Sequence, residues 1–333
     1  MRNSSLIFIA AAVASFWLAA CERKPTAGTG APGSGAGDSP AKKLTIAVIP
    51  KGTTHVFWKS VERGAKQAGQ DLGAEIIWKG PLVENDRAQQ IQLVQQFISD
   101  GVGGIVLAPL DKQALVQPVK EAKGKHIPIV IFDSALEGTP GADFAAFVAT
   151  NNRAAGKMGG EHLVKSLGGS GKVVLLRYQV GSASTDERES GFLDAVKSAS
   201  GVTVLSDTQY AGPTADEAKA KALNMIDQIK EAQGVFCPNE SSTFGMLLAL
   251  RQENLTGKVK LVGFDASPPL LEALRQGEIE ALVVQNPRRM GYLAVESIVK
   301  SVRGETIDAA IDTGAILVTK DNIDSDEVKK VLE

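Results

Sequence analysis

The sequence is poor in cysteine and has no excess of charge of either sign. Its 2 cysteines in 333 residues cannot form a disulfide framework, which excludes a small disulfide-stapled protein. Lys and Arg total 36 against 38 Asp and Glu, and a net charge of −2 gives no field that would collect phosphate backbones. Nucleic acid is therefore not an expected partner. With 44% hydrophobic and 22% charged residues, the composition is ordinary for a soluble globular protein, and the length allows two domains.

Only one stretch of the sequence has the apolar character of a membrane segment, and it is at the N-terminus. The run Leu6–Ala20 follows the single charge of Arg2 and is shorter than the roughly 20 residues that span a bilayer comfortably. Residues 1–20 are therefore interpreted as a cleaved secretory signal. They end in Leu-Ala-Ala before Cys21, which resembles the bacterial lipobox, in which the cysteine is lipidated and becomes the new N-terminus. An incidental cysteine in an ordinary signal is the alternative.

The next segment, residues 21–41, is dominated by Gly, Pro, Ser, Thr and Ala. Such a segment cannot bury enough apolar surface to offset the entropy of ordering it, so we predict a disordered tether. A lipidated Cys21 would hold the folded body beside a membrane, and we expect an exported lipoprotein in the periplasm or at the cell surface. Cys237 then has no intramolecular partner and is predicted to be a small buried residue.

After residue 41, short apolar runs rich in β-branched residues alternate with amphipathic stretches. Leu44–Ile49 predicts a buried strand, and apolar residues at helical spacing from Phe57 to Leu72 predict the helix after it. Because the strand candidates lack polar alternation and are separated by helices, they favour parallel sheets covered on both faces. They are too many for one open sheet, so the sequence predicts an α/β protein of two doubly wound parallel-sheet lobes. The further strand candidates are 75–78, 104–108, 127–132, 144–149, 172–178, 202–205, 234–237, 260–264 and 281–284.

Polar residues follow nearly every predicted strand. In doubly wound sheets, ligands bind at the carboxyl ends of the strands, where loops converge and helix N-termini point their amides. Together with the aromatic residues Phe57, Trp58 and Tyr210, these groups could hydrogen-bond hydroxyls and cover an apolar face of a ligand. For each single position the structural alternative is a helix N-cap, which prefers Asp, Asn and Ser. The residues at the strand exits are Lys51, 109–111, Asp133, 178–179, Asn239, Asp265 and 285–286.

An ordered series of short motifs runs through the folded body. It includes Gly-Ile-Val-Leu-Ala-Pro at 104–109, Ile-Pro-Ile-Val-Ile-Phe-Asp at 127–133 and Val-Gly-Phe-Asp at 262–265. Over residues 42–321 the series resembles the periplasmic sugar-binding proteins of the ribose-binding type. These proteins have the type I periplasmic binding protein fold, which they share with the core of the lac repressor.

The resemblance also implies how the chain is divided between the lobes. Three crossings near Thr150, Gln285 and Thr313 are expected to form a hinge. A transcription factor with the same core is excluded, because the sequence has no helix-turn-helix segment and begins with an export signal. The implied lobe one is 42–150 with 286–313, and the implied lobe two is 151–285 with 314–333.

The ligand contacts of the family fall on residues of suitable type in this sequence. Phe57 and Trp58 are implied to stack on the apolar face of a sugar. Five polar residues are implied to hydrogen-bond its hydroxyls. These five are Asp133, Arg188, Asn239, Asp265 and Gln285.

Three positions depart from the ribose-binding pattern. Lys51, His55 and Ser134 stand where ribose binders usually have other residues, and these departures should alter hydroxyl recognition. Lys51 and the pair Asp133-Ser134 are similar instead to the binders of rhamnose and of the furanosyl autoinducer. In that branch the segment around Asp186 adds ligand contacts.

The resemblance implies a protein that closes around a monosaccharide and delivers it unchanged to an inner-membrane ABC permease. We expect a monomer. We also expect neither a metal nor a cofactor, because the sequence shows no zinc motif, calcium loop or nucleophile elbow. The alternatives are a ligand-binding subunit for a receptor kinase or chemoreceptor, a binder of the furanosyl autoinducer and, with least support, a sugar-modifying enzyme.

Overall fold

The computed structural model describes residues 43–332 of the chain. The predicted signal, the tether and the lipidation candidate Cys21 lie outside the described residues. Within residues 43–332, no helix is both long enough and apolar enough to cross a membrane.

Strands and helices alternate along the described residues. The first part comprises β1 (Thr45–Ile49), α1 (Val56–Leu72), β2 (Glu75–Trp78), α2 (Arg87–Ser99), β3 (Gly104–Leu107), α3 (Val116–Gly124), β4 (Ile129–Phe132) and β5 (Ala146–Ala149). The middle part comprises α4 (Asn152–Ser166), β6 (Ser170–Arg177), α5 (Ala183–Lys197), β7 (Gly201–Tyr210), α6 (Ala215–Asn224), α7 (Ile226–Glu231), β8 (Gly234–Phe236), α8 (Glu240–Gln252), β9 (Lys260–Phe264), α9 (Pro268–Gln276) and β10 (Ala281–Gln285). The last part comprises α10 (Pro287–Val302), β11 (Ala310–Asp312), β12 (Ala315–Thr319) and α11 (Asp326–Leu332).

The strands form two six-stranded sheets. The first has the order β11-β5-β4-β3-β1-β2, and its pairings are all parallel. The second has the order β12-β10-β9-β8-β6-β7, in which only β12 is antiparallel to its neighbour. Strand β12 begins beside the end of β10, with Ala315 opposite Gln285, and therefore runs in the opposite direction. This arrangement confirms the predicted fold class of two lobes with mainly parallel sheets.

The chain passes between the two sheets three times, which confirms the three-crossing hinge. Strand β5 leads through Thr150 into α4, β10 ends at Gln285 before α10, and β11 leads through Thr313 into β12. The three crossings contact one another, because Thr150 Oγ1 donates to Gln285 Oε1 at 2.9 Å and lies 3.4 Å from Thr313 Oγ1. All three side chains are buried. The crossings thus form one hydrogen-bonded unit.

Each sheet has an apolar cluster on both of its faces. In β1, Ile46 and Val48 pack under α1 and α10, whereas Ala47 and Ile49 pack under α2 and α3. Successive strand residues point to opposite faces, which explains why these strands show no polar alternation. The second lobe repeats the arrangement, and Cys237 lies fully buried as a free thiol in one of its clusters, as predicted.

Two pairs of helices cross closely at glycines in matching places of the two lobes. In lobe one, Gly64 of α1 and Gly291 of α10 approach the partner helix so closely that a Cβ would overlap a backbone carbonyl oxygen. In lobe two, Gly156 of α4 and Gly191 of α5 face each other's backbone in the same way. These crossings fix the directions in which α1 and α5 enter the space between the lobes.

The substitution Gly291→Ala should destabilise the protein, because the added methyl group has no room at the α1–α10 crossing. We expect a loss of about 1–3 kcal/mol in the free energy of unfolding, measured by urea denaturation. Gly124→Ala is the control, since Gly124 is exposed in α3 and a Cβ there meets nothing within 4 Å. Equal stabilities of the two variants would contradict the proposed close packing.

Candidate ligand-binding site

The carboxyl ends of the two sheets face each other and enclose a cavity. It contains about 300 Å³ of space that no protein atom occupies, part of which is open to solvent. Side chains from both lobes and from the hinge line it, which is the placement expected at the strand exits of doubly wound sheets. The lining residues are Lys51, His55, Phe57, Trp58, Glu84, Asp133, Tyr178, Ser184, Thr185, Arg188, Asn239, Asp265 and Gln285.

Two aromatic side chains at the start of α1 form the apolar wall of this cavity. The ring centroids of Phe57 and Trp58 lie 4.9 Å apart with an interplanar angle of 83°, and Trp58 meets Phe132 edge to face at 6.0 Å. The Trp58 indole Nε1 donates to Glu84 Oε1 at 2.6 Å. Packing and this hydrogen bond together fix the plane of the indole ring.

Two aspartates enter the cavity from equivalent positions of the two lobes. Asp133 follows β4 and Asp265 follows β9, and both have left-handed backbone conformations, with φ of 60° and 67°. Non-glycine residues seldom adopt this conformation, which costs on the order of 1 kcal/mol and is concentrated at functional sites. Burial raises the pKa of both carboxyls, against the lowering effect of Arg188 on each and of Lys51 on Asp133.

Lys51 joins the two lobes at one side of the cavity. It follows the buried strand β1 and is only 3% exposed. Its Nζ donates to Ser182 Oγ at 3.0 Å and to Ser184 Oγ at 3.1 Å, both in lobe two. The same ammonium lies 3.7 Å from Asp133 Oδ2 of its own lobe. The charge of this buried lysine is therefore compensated within the site.

Arg188 provides a hydrogen-bond donor, Nη2, that has no partner among residues 43–332. Its Nε donates to Asn152 Oδ1 at 2.8 Å, its Nη1 donates to the Pro238 carbonyl at 2.9 Å, and its guanidinium lies 4.0 Å from the centroid of the Phe264 ring. Nη2 is buried and bonds to no described residue. Burial lowers the pKa of Arg188, opposed mainly by Asp265, and the group remains a cation.

The hinge side of the cavity is a network of amides and carboxylates. Gln285 Nε2 donates to Asp265 Oδ1 at 2.7 Å, while Asp265 Oδ2 accepts from the backbone N–H of Glu240 at 3.0 Å. Asn239 lines the cavity and also caps α8, because its Oδ1 accepts from the backbone N–H of Ser242 at 3.2 Å. Asn239 is therefore a helix N-cap, as the structural alternative for polar residues after strands predicted, and it also lines the cavity.

Glu84 is a central residue of the site that the sequence analysis missed. It lies between β2 and α2, is 7% exposed, and its Oε1 lies 2.9 Å from His55 Nδ1. Burial opposes charging of His55, but Glu84, Glu240 and Asp265 outweigh it and raise the pKa of the imidazole to about 9. Burial likewise opposes charging of Glu84, but His55, Lys51 and the Trp58 N–H outweigh it and lower its pKa to about 2. The signal that could have found Glu84 is its position after the strand candidate 75–78.

Three candidates from the sequence do not line the cavity. Ser134 is fully buried beside it, where its Oγ accepts from the backbone N–H of Ser184 at 3.1 Å. Asp186 is partly exposed and forms an ion pair at 3.2 Å with Lys112 of the other lobe. Tyr210 is 37% exposed at the end of the edge strand β7, which extends beyond the predicted 202–205. This geometry gives no support to ligand contact by these three residues.

Within residues 43–332, no cluster of three His, Cys, Asp or Glu could hold a metal ion.

Residues 46–306 match the family of the periplasmic binding protein domain. The chain belongs to this family. Among curated proteins, this periplasmic binding protein is 30% identical over 290 residues to the D-allose-binding periplasmic protein of Escherichia coli, covering 82% of this chain and 91% of the relative. It is 29% identical over 282 residues to the ribose import binding protein of the same organism, covering 84% and 91%.

Solved structures of related binding proteins have the same fold. An ABC transporter solute-binding protein from Agrobacterium vitis with bound D-fucose matches this periplasmic binding protein with a TM-score of 0.83 and 34% identity, covering 87% of this chain and 100% of that one. A carbohydrate transporter solute-binding protein from Agrobacterium radiobacter in complex with D-arabinose has a TM-score of 0.84 and 32% identity, covering 88% and 100%. These relatives are transport binding proteins, in agreement with the expectation of a binder and not an enzyme. The likeness to the rhamnose and autoinducer binders stays a prediction.

The His55–Glu84 pair predicts a pH-dependent contribution to stability. The pKa of His55 rises from 6.5 to about 9 on folding, so the contribution is complete below pH 6.5 and is lost as pH rises through 9. The pKa of Glu84 falls from 4.5 to about 2, so the contribution is present above pH 4.5 and is lost as pH falls through 2. Both pKa shifts arise from the same ion pair, so the pair contributes its stabilisation only once.

Accordingly, His55→Gln should lower the free energy of unfolding most between pH 4.5 and 6.5 and least above pH 9. The expected loss at the maximum is about 2–3 kcal/mol, measured by urea denaturation at a series of pH values. His126→Asn is the control, because His126 is exposed and Asn tolerates its left-handed backbone. A loss in His55→Gln that is the same at every pH would contradict the ion pair.

Proposed function

We propose that this protein binds an uncharged monosaccharide in the cavity between its lobes and passes it to the membrane permease of an ABC importer. The observation that carries the proposal is the cavity itself, in which one aromatic wall faces a set of hydrogen-bonding groups from both lobes. A sugar ring has the complementary surface, with apolar C–H faces and a rim of hydroxyls. The named relatives, which bind D-allose, ribose, D-fucose and D-arabinose, support this assignment.

The balance of charge in the cavity supports an uncharged ligand. Its lining includes three cationic groups and three carboxylates, and each cation lies near at least one carboxylate. A charged sugar would leave one buried charge without compensation, which is costly in a low-dielectric site. The cations are Lys51, His55 and Arg188, and the carboxylates are Glu84, Asp133 and Asp265.

In this proposal the ligand is contacted by the candidates that line the cavity. Arg188 donates through its unpartnered Nη2, and Asp133 and Asp265 accept from hydroxyls through carboxylates that the left-handed backbone directs inward. Phe57 and Trp58 cover the apolar face of the ring. The other proposed contacts are Lys51, His55, Asn239 and Gln285.

Closure of the lobes about the hinge explains how binding could be signalled to a partner. Lobe one, residues 42–150 and 286–313, would close on lobe two, residues 151–285 and 314–333. Besides the bonds of Lys51, Glu240 of lobe two accepts from the backbone N–H groups of α1 at 3.3 and 3.1 Å. A ligand that contacts both lobes stabilises only the closed form and so shifts the equilibrium towards it. The permease would recognise that form.

We also propose that the protein is exported and held at a membrane by lipid on Cys21. The support is the Leu-Ala-Ala-Cys sequence after an apolar run, followed by a Gly- and Pro-rich segment. A tether of this kind would keep the binding protein at a high effective concentration beside its permease.

Sugar binding is tested by thermal unfolding in the presence of D-allose, D-ribose, D-fucose, D-arabinose, L-rhamnose and the furanosyl autoinducer. A ligand at about 100 times its Kd adds roughly 2.7 kcal/mol to the stability of the protein, and we expect at least one sugar to raise Tm by about 5 °C. A rise with the autoinducer alone would favour the autoinducer alternative. If none of these compounds raises Tm, the proposed function is wrong.

The substitution Asp133→Asn should weaken binding of the sugar that gives the largest rise in Tm. Loss of one charge-assisted hydrogen bond corresponds to about 1.5–3 kcal/mol, or a Kd about 10 to 150 times higher by isothermal titration calorimetry. Asp100→Asn, at an exposed position after α2, is the matched control and should bind like the wild type. Unchanged affinity in Asp133→Asn would place the binding site elsewhere.

Lipidation is tested by metabolic labelling with a radioactive fatty acid in a bacterial host that processes lipoproteins. The wild-type protein should carry label and sediment with membranes, whereas Cys21→Ser should carry none and be recovered in the supernatant after cell lysis. Cys237→Ala is the control for the second cysteine, which is buried, and should be labelled like the wild type. Label retained in Cys21→Ser would refute the lipobox interpretation.

A further inference from the structure

Glu84 is a buried carboxylate whose side-chain oxygens already have their hydrogen-bond partners. Oε1 accepts from Trp58 Nε1 at 2.6 Å and lies 2.9 Å from His55 Nδ1, and Oε2 accepts from the Tyr178 hydroxyl at 3.0 Å. Its side chain is 6% exposed. A carboxylate has about four acceptor positions, and these three donors take three of them. Glu84 therefore acts on recognition mainly through the side chains that it holds.

Two of these partners are candidate ligand contacts on its own lobe. Glu84 holds His55 by Nδ1, so the other nitrogen, Nε2, is the one that Glu84 leaves for contacts in the cavity. It also holds Trp58 by the indole N–H, while Phe57 and Phe132 pack perpendicular to the ring at 83° and 89°. The carboxylate thus fixes the orientation of both rings.

The third partner, Tyr178, belongs to the other lobe. Tyr178 is 1% exposed, and its backbone N–H donates to the buried Glu189 at 2.9 Å. The neighbouring Gln179 Nε2 donates to the backbone carbonyl of Glu84 at 3.0 Å. Both bonds to Glu84 join the two lobes, so they exist only when the lobes are closed. Glu84 therefore links the orientation of the two rings to closure.

We propose that Glu84 is a positioning residue for ligand recognition, which holds His55 as a cationic donor and Trp58 as a fixed stacking surface once Tyr178 closes over it. This inference rests on the proposed function of sugar binding. It extends that function by naming a residue that sets specificity through the side chains that it holds. A permanent imidazolium can donate a hydrogen bond but cannot accept one, so it selects a hydroxyl or ring oxygen presented as an acceptor.

The groups around the imidazole support a cation at neutral pH. Glu84 from the β2–α2 segment, Glu240 at the start of α8 and Asp265 after β9 all act on His55 with negative charge. The two other cations of the cavity act on these carboxylates, Lys51 on Glu84 and Arg188 on Asp265. The balance favours the charged form, with a His55 pKa of about 9.

The test is Glu84→Gln in the full chain, which keeps the shape of the side chain and removes its charge. In the first arm, NMR follows the imidazole signals of the protein's 3 histidines against pH. We expect His55 to titrate near pH 9 in the wild type and below pH 7 in Glu84→Gln. Titration of His55 below pH 7 in the wild type would overturn the proposal.

In the second arm, calorimetry measures the affinity for D-allose, D-ribose, D-fucose and D-arabinose from about pH 5.5 to 8. The wild-type Kd should change less than about threefold over this range, whereas that of Glu84→Gln should rise about tenfold or more as His55 loses its proton. Glu75→Gln, at an exposed position of β2, is the matched control and should behave like the wild type. A uniform loss of affinity at every pH, or none, would mean that Glu84 has only a structural role.

His55→Gln provides a variant that does not depend on the folding of Glu84→Gln. It should weaken sugar binding about tenfold or more and leave the remaining affinity independent of pH over the same range. Wild-type affinity in His55→Gln would overturn the proposal. Failure of the wild type to bind any of the four sugars would instead refute the proposed function, while the NMR arm still decides whether Glu84 controls the charge of His55.

Discussion

The cavity between the lobes depends on mutual compensation of buried charges. Lys51 with Asp133 and His55 with Glu84 are ion pairs at 3.7 and 2.9 Å, and the charge of Arg188 is opposed mainly by Asp265. Burial makes the charge of each of these groups costly, and the opposite charge beside it offsets that cost. Because three cations and three carboxylates line the cavity, strong hydrogen-bonding groups can stay buried there, as the proposed binding of an uncharged sugar requires.

The two lobes reach this arrangement by repeating the same local solutions. In each lobe an aspartate with positive φ follows a buried strand, and in each lobe glycines let two helices cross closely. The strained aspartates direct carboxylates into the cavity at Asp133 and Asp265, and the helix crossings set the entry of α1 and α5. The apolar clusters on both faces of each sheet stabilise the lobes and so offset the cost of the strained backbone at the two aspartates.

Most of the fold could be predicted from the sequence, because buried parallel strands have strong apolar signals. Two edge strands have weak signals, because β7 continues through the polar residues 206–210 and β11 has only 3 residues. The edge strand β12 is absent from the strand candidates although its sequence, Ala-Ile-Leu-Val-Thr, is mainly apolar. In the site, the strand-exit rule found Asp133 and Asp265. It was not applied to the segment after 75–78 and so missed Glu84, whose contact with Tyr178, 94 positions away, has no local signal. Such pairings depend on how the lobes meet, which local periodicity does not encode.

Closure and recognition use overlapping groups, which constrains how a ligand can act. Lys51 already has three polar neighbours in the closed form, two of them serine hydroxyls of lobe two. The other nitrogens of Arg188 bond to Asn152 and Pro238, whereas its Nη2 has no partner within residues 43–332. A buried donor without a partner costs about 1–3 kcal/mol. In the proposed function, a ligand oxygen that accepts from Nη2 inside the closed cavity removes this cost and so stabilises the closed form over the open one.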